Sequence, residues 1–126
     1  MEADNNITIR KAETNDFESI YGLIKELAVF ENEPNEPSNP IKNFIEEGTA
    51  KQPKFQVLVA EQNLEIIGIA LYYYGYSTWK GSMLYLDDLV VKETHRRKGI
   101  GKLLLDELIG IAKEERINQM RWHVLD

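Results

Sequence analysis

Ile7 to Lys11 alternates apolar and polar side chains, the period of a half-buried strand. Thr14, Asn15 and Asp16 then supply helix N-cap candidates, and Glu18 follows Asn15 by three residues. Phe17, Ile20, Leu23, Ile24, Leu27 and Ala28 recur at helical spacing and predict one amphipathic helix running to about Glu31. The segment Glu33-Pro34-Asn35-Glu36-Pro37-Ser38-Asn39-Pro40 reads as a loop, because proline removes a backbone donor and fixes φ. A short helix is predicted over Ile41 to Glu47, stopped by Gly48. Phe55 to Glu61 and Ile66 to Tyr74 read as the two strands of a hairpin that turns at Asn63. Gly75 to Gly81 is the next connection, and Met83 to Val91 is the most apolar strand of the chain. Leu103 to Ala112 carries a second amphipathic helical pattern, and Gln119 to Leu125 a final strand.

The predicted order is β-α-α-β-β-β-α-β, which suggests an α+β fold rather than a wholly parallel sheet. A helix between the Met83 and Gln119 strands makes that pair parallel neighbours. No internal repeat, low-complexity tract or second domain is visible, so residues 1 to 126 are expected to form one domain.

Composition narrows the classes of function. Without cysteine there is neither a disulfide framework nor a thiolate metal site. His95 and His123 are too few for a self-contained zinc centre, so no metal is expected. No apolar run approaches the roughly 20 residues that span a bilayer. Met1 to Asn6 lacks the pattern of a signal sequence, so the expected location is cytoplasmic. The net charge of −6 argues against a nucleic-acid partner.

The distribution of charge is more informative than its sum. Residues 31 to 47 hold five acids (Glu31, Glu33, Glu36, Glu46, Glu47) against Lys42. Residues 92 to 102 hold five bases (Lys92, Arg96, Arg97, Lys98, Lys102) against Glu93. One region suits a cation and the other an anion.

The basic region lies where a buried strand meets an amphipathic helix. Unpaired N–H groups at a helix N-terminus point outward toward phosphate-like ligands, and glycines let a ligand approach the backbone. Arg96, Arg97, Lys98 and Lys102 crowd the positive end of the helix dipole, a conflict that a bound polyanion removes. A dinucleotide fingerprint would need glycine at Leu104, and a P-loop would need glycine at Arg96 and Ser or Thr at Leu103. What remains is R-x-x-G-x-G, formed by Arg96, Gly99 and Gly101.

This turn, preceded by Leu84 to Val91 and followed by Leu103-Leu104-Leu105, resembles the pyrophosphate-binding signature of the GNAT acetyltransferases. Leu23-Ile24-Lys25-Glu26-Leu27-Ala28, Tyr72-Tyr73 with Tyr76 and Trp79, and Leu84-Tyr85-Leu86-Asp87-Asp88 resemble the diamine (spermidine/spermine-type) N-acetyltransferases. Arg121 to Asp126 is similar to a strand that this group shares.

The resemblance implies a mixed, mostly antiparallel sheet flanked by helices. Its parallel pair, Met83–Val91 and Gln119–Leu125, would splay around acetyl-CoA. The implied activity is direct transfer of an acetyl group from acetyl-CoA to a small cationic amine, by an enzyme that forms a homodimer. The implied cofactor contacts are Leu89, Val90 and Val91, with backbone donors for the thioester oxygen, and Arg96, Arg97, Lys98, Gly99, Ile100, Gly101 and Lys102 around the pyrophosphate.

An alkylamine has a pKa near 10.4 and arrives protonated, so its site must attract a cation and accept a proton. Asp87 and Asp88 are adjacent carboxylates in an apolar strand, which is costly unless they face a polar cavity or find partners. Consecutive strand residues point to opposite faces, and only a bulge relaxes that rule. By resemblance, Asp87 deprotonates the amine through water, Asp88 and Glu31 bind the cation, and Trp79 lines the groove.

Two departures qualify the match. Ser77 stands where the resembled enzymes carry an acid, which points toward a shorter amine or a lysine-like amino acid. The resembled enzymes also continue with a helix bearing a general-acid tyrosine and two closing strands, so the chain is expected to be truncated there. Two other readings stay open at this level: a non-catalytic CoA-binding module, and an acetyltransferase of protein lysines or N-termini.

Overall fold

A computed structural model describes residues 6–122. The elements follow the expected order: β1 (Thr8–Lys11), α1 (Phe17–Phe30), α2 (Ile41–Gly48), β2 (Gln56–Gln62), β3 (Glu65–Ser77), β4 (Gly81–Val91), α3 (Ile100–Glu114) and β5 (Met120–Trp122). The five strands form one sheet in the order β1-β2-β3-β4-β5. The first three pairings are antiparallel, and β4 with β5 is parallel.

Each face of the sheet carries its own core. On one side α1 and α2 set Phe17, Ile20, Leu23 and Phe44 against Val57, Val59, Ile69, Leu71 and Val90. On the other, α3 sets Ile100, Leu104, Leu108 and Ile111 against Leu58, Ala60, Ala70, Tyr72, Leu84 and Leu86. The strands are apolar on both faces for this reason: Val57 and Val59 serve one core, Leu58 and Ala60 the other. Among the described residues, no helix is long and apolar enough to cross a membrane.

Asp16, one of the three expected candidates, is the N-cap of α1, but its side chain serves the preceding turn rather than a helix N–H. Thr14–Asp16 forms a 3-10 turn capped reciprocally by Glu13 and Asp16. The Asp16 carboxylate accepts the Glu13 backbone N–H at 2.7 Å and the Arg10 Nη1 at 2.8 Å. Arg10 also reaches Glu61 at 3.0 Å, so one guanidinium ties β1 to β2 and to the entry of α1. The hydrogen bonds from Arg10 hold the Asp16 carboxyl below its ordinary pKa, against the opposing effect of burial.

The expected element ends shift most informatively at α3, β3 and the last strand. α3 begins at Ile100 rather than Leu103, because its first turn is built on the polar, glycine-containing segment itself. β3 runs on to Ser77, because Gly75 pairs with Met83 and the hairpin closes only at Ser77 and Gly81. The last strand is seen as Met120–Trp122, and the remainder of its expected span, from residue 123, lies outside the described residues.

Candidate active site

β4 builds the site because its register changes in the middle. Leu71 on β3 faces Asp88, while the next residue, Tyr72, faces Leu86, so Asp87 has no opposite number. This is a β-bulge, and one extra residue reverses which alternate side chains face which core. Leu84 and Leu86 accordingly pack beneath α3, whereas Val90 packs beneath α1. The reversal also turns Asp88 toward α1.

Asp88 lines a cavity of about 230 Å³ with Ile24, Leu27, Ala28, Glu31, Glu33, Glu36 and Pro37. Burial pushes the Asp88 carboxyl up to about 6, and the charges of Asp87 and Glu31 and a hydrogen bond with Asp87 act in the same direction. The Asp87 charge also reaches Tyr73, whose hydroxyl is shifted upward mainly by burial and then by that charge. Tyr73 stacks on Tyr85 with ring centroids 5.2 Å apart. An apolar shelf with an acidic pair at its edge results.

Glu33 and Glu36 reach this cavity through a helix-ending turn. Asn32 takes a left-handed conformation (φ 62°) immediately after α1. Its N–H donates to the Val29 carbonyl at 3.1 Å, and the Glu33 N–H donates to the Ala28 carbonyl at 2.8 Å. This pair of bonds is the Schellman closure, which turns the chain back toward the helix it has left. Glu31 was expected in the site from sequence; Glu33 and Glu36 were visible there only as part of an acidic run. The left-handed asparagine is the local signal that could have brought them in.

The turn after β4 is shaped by two left-handed residues. Arg97 has φ 67° and Gly99, the N-cap of α3, has φ 78°. Glycine adopts that conformation freely, whereas for arginine it carries strain of the kind that gathers at functional sites. No side chain caps α3, and the first helical bond that closes over Gly99 runs from the Leu103 N–H to the Gly99 carbonyl at 3.1 Å. The backbone N–H groups of Ile100, Gly101 and Lys102 therefore head the helix without intrahelical acceptors. Gly101 sits inside the first turn of α3 and needs no positive φ. A Cβ there would meet only Leu89 and Val91 side chains at 3.9 Å, so internal packing does not demand glycine.

The basic run is divided among several jobs. Lys92 is ion-paired with Glu65, and Lys102 pairs with Asp106 at 2.8 Å, one helical turn along α3. Arg96 donates from Nε to the Val91 carbonyl at 3.2 Å and lays its guanidinium over the Phe30 ring, 5.0 Å from the centroid. Of the strand residues expected near a thioester, Leu89 is exposed, Val91 half-buried, and the Val90 side chain belongs to the core. Among the described residues β5 pairs with Leu84, Tyr85 and Leu86 of β4, so the parallel pairing ends before the bulge.

Trp79 stands apart from this cluster. It occupies the tip of the β3–β4 hairpin, 93% exposed, and does not line the carboxylate cavity. Ser77 has a structural role there: its hydroxyl oxygen accepts the backbone N–H groups of Trp79 and Lys80, each at 3.2 Å. Among the described residues no group of three or more His, Asp or Glu side chains could hold a metal ion.

A family model described as the Acetyltransferase (GNAT) family matches residues 17–126. The chain belongs to the GNAT acetyltransferase family. It is an N-acetyltransferase, and its similarity to individual members is of two kinds. A thialysine N-epsilon-acetyltransferase from Bos taurus is 34% identical over 128 residues, covering 95% of this chain and 75% of that protein. The human spermidine/spermine N(1)-acetyltransferase-like protein 1 is 35% identical over 124 residues, covering 93% of this chain but 18% of that protein.

Solved GNAT-like structures agree in fold. A Clostridium difficile 630 protein described as a possible acetyltransferase superposes with a TM-score of 0.82 at 24% identity, covering 95% of this chain and 80% of the other. An aminoglycoside acetyltransferase from an uncultured soil metagenomic sample, in complex with sisomicin, gives 0.81 at 21%, covering 99% and 82%.

Proposed function

We propose that this GNAT enzyme moves an acetyl group from acetyl-CoA to a primary amine of a small polyamine, a diamine or a lysine-like amino acid. The observation that carries the reading is the cavity in which Asp88 meets Glu31, Glu33 and Glu36, on the strand that runs directly into the basic turn. Relatives named for thialysine and for spermidine and spermine support an acceptor of this class. The same reading includes a cytoplasmic homodimer, on the family resemblance alone.

In this scheme the turn receives the anionic end of acetyl-CoA. Arg96, Arg97 and Lys98 face its pyrophosphate, together with the N–H groups of Ile100, Gly101 and Lys102. The fit rests on the uncapped start of α3 and on a glycine at 101 that the protein's own packing does not require. Backbone donors of Leu89 to Val91 steady the thioester oxygen as charge builds on it.

Asp88, Glu31 and the acids from the loop hold the ammonium, and Asp87 takes its proton. Asp88, whose carboxyl burial pushes up to about 6, is drawn back down by an arriving ammonium, which favours its charged, cation-binding form. The freed amine nitrogen forms a bond to the carbonyl carbon as the carbon–sulfur bond breaks, and the second proton shed by the nitrogen ends on the departing thiolate, giving the free thiol. We leave Trp79 out of the cation contacts, since it lies outside the cavity.

The test is acetyl-CoA-dependent transfer to a free diamine, to thialysine and to a lysine-containing peptide, read by thiol release and product mass. The proposal expects saturable acetylation of the free amines, with kcat lowered about 100-fold or more by Asp87→Asn. Transfer to the peptide with none to the free amines would contradict it.

A further inference from the structure

Phe30 ends α1 with 67% of its surface exposed, so burial does not explain an aromatic ring at that position. Its face is occupied by the Arg96 guanidinium, across a cleft of about 630 Å³ between α1 and the turn. A guanidinium has five N–H donors, of which Arg96 spends its Nε on the Val91 carbonyl. Stacking on a ring engages the face of the group and leaves its edge unobstructed. With Cζ over the Phe30 ring and Nε on the Val91 carbonyl, the guanidinium is held from two sides beside the turn.

We propose that Phe30 is a positioning residue that fixes the Arg96 guanidinium for the pyrophosphate of acetyl-CoA. This rests on the reading of the turn given above. Long arginine side chains lose rotamer freedom when they bind, and a side chain already immobilised loses less. Phe30 acts through Arg96 and touches no reacting atom. It also immediately precedes Glu31, which lines the acceptor cavity.

The experiment is calorimetric titration of the chain with acetyl-CoA, alongside steady-state kinetics, for Phe30→Ala, Phe30→Leu, Phe30→Trp, Arg96→Ala and the Phe30→Ala/Arg96→Ala double variant. Phe30→Ala and Phe30→Leu are each expected to weaken binding about two- to five-fold, the scale of an exposed cation–π contact. KM for acetyl-CoA rises correspondingly while kcat holds, and Phe30→Trp restores the parental value. In the Arg96→Ala background, Phe30→Ala adds nothing.

Parental affinity in Phe30→Leu, or full additivity in the double variant, overturns the positioning role while leaving the turn assignment standing. Unchanged affinity in Arg96→Ala overturns both.

Discussion

The charge of Asp87 acts on the buried carboxyl of Asp88 although the two residues are consecutive in a strand. In a regular strand they would stand on opposite faces. The bulge against Leu71 and Tyr72 breaks that alternation and leaves Asp88 lining the acceptor cavity, with Asp87 as the extra residue beside it.

Asp88 makes stability and pH move in an unusual direction. Its folded pKa of about 6 lies above the unfolded carboxylate value, so the folded state holds the proton more tightly between about pH 4 and 6. Stability from this group is present at low pH and is lost as pH rises through 6. Asp16 acts oppositely, with its depressed pKa contributing stability above the ordinary carboxylate range and losing it in acid. In thermal melts without amine, Asp88→Asn is expected to gain on the parent as pH rises from about 4 to 6 and to exceed it at pH 7.5. A constant difference across that range would contradict the assignment.

The loop acids should distinguish acceptors by charge. Glu33→Gln with Glu36→Gln is expected to raise KM several-fold for a diamine, on the scale of about 1 kcal/mol or less per solvated contact. For a monoamine of equal length KM should change much less. Initial-rate kinetics on the two amines check this, and equal effects would remove the loop from the site.

Arg97 and Gly99 offer a contrast at the turn. Gly99→Ala places a Cβ on a left-handed residue and should cost about 1 to 2 kcal/mol in chemical denaturation. Arg97→Gly relieves the corresponding strain and should leave stability unchanged or raised, while weakening acetyl-CoA several-fold. Loss of both stability and affinity in Arg97→Gly would count against a ligand role for the arginine.

Gly48 is a packing position. A Cβ there would lie 2.6 Å from Phe55 Cζ and closer still to the Phe17 ring. Phe55 stacks on Phe44 with centroids 5.0 Å apart, and Phe17 meets both rings at a tilt. Gly48→Ala is expected to destabilise by about 1 to 3 kcal/mol through overpacking, measured by urea unfolding, without altering the KM for either substrate.

The features legible in the sequence were local ones. The stripe from Phe17 to Ala28 gives α1, and the glycines with their basic neighbours give the turn, because backbone freedom and charge sit on the residues concerned. The acidic pair on β4 was visible too. The bulge that unites it was not, because it exists only in the register of β4 against β3. Glu33 and Glu36 were hidden for a similar reason, since a single left-handed Asn32 decides where the following loop returns. Trp79 was given to the substrate groove by resemblance alone; a tight turn held by Ser77 carries it to the exposed tip of the β3–β4 hairpin.

The central claim is a division of labour between an anion-binding turn and a cation-binding bulge. The most direct measurement is a crossed titration: acetyl-CoA affinity and amine KM for the parent, Arg96→Ala and Glu31→Gln. The account predicts that Arg96→Ala weakens acetyl-CoA about 10- to 100-fold, the scale of a charged hydrogen bond to phosphate, with little change in amine KM. Glu31→Gln should do the reverse. Both variants weakening both ligands equally, or Arg96→Ala leaving acetyl-CoA untouched, would contradict it.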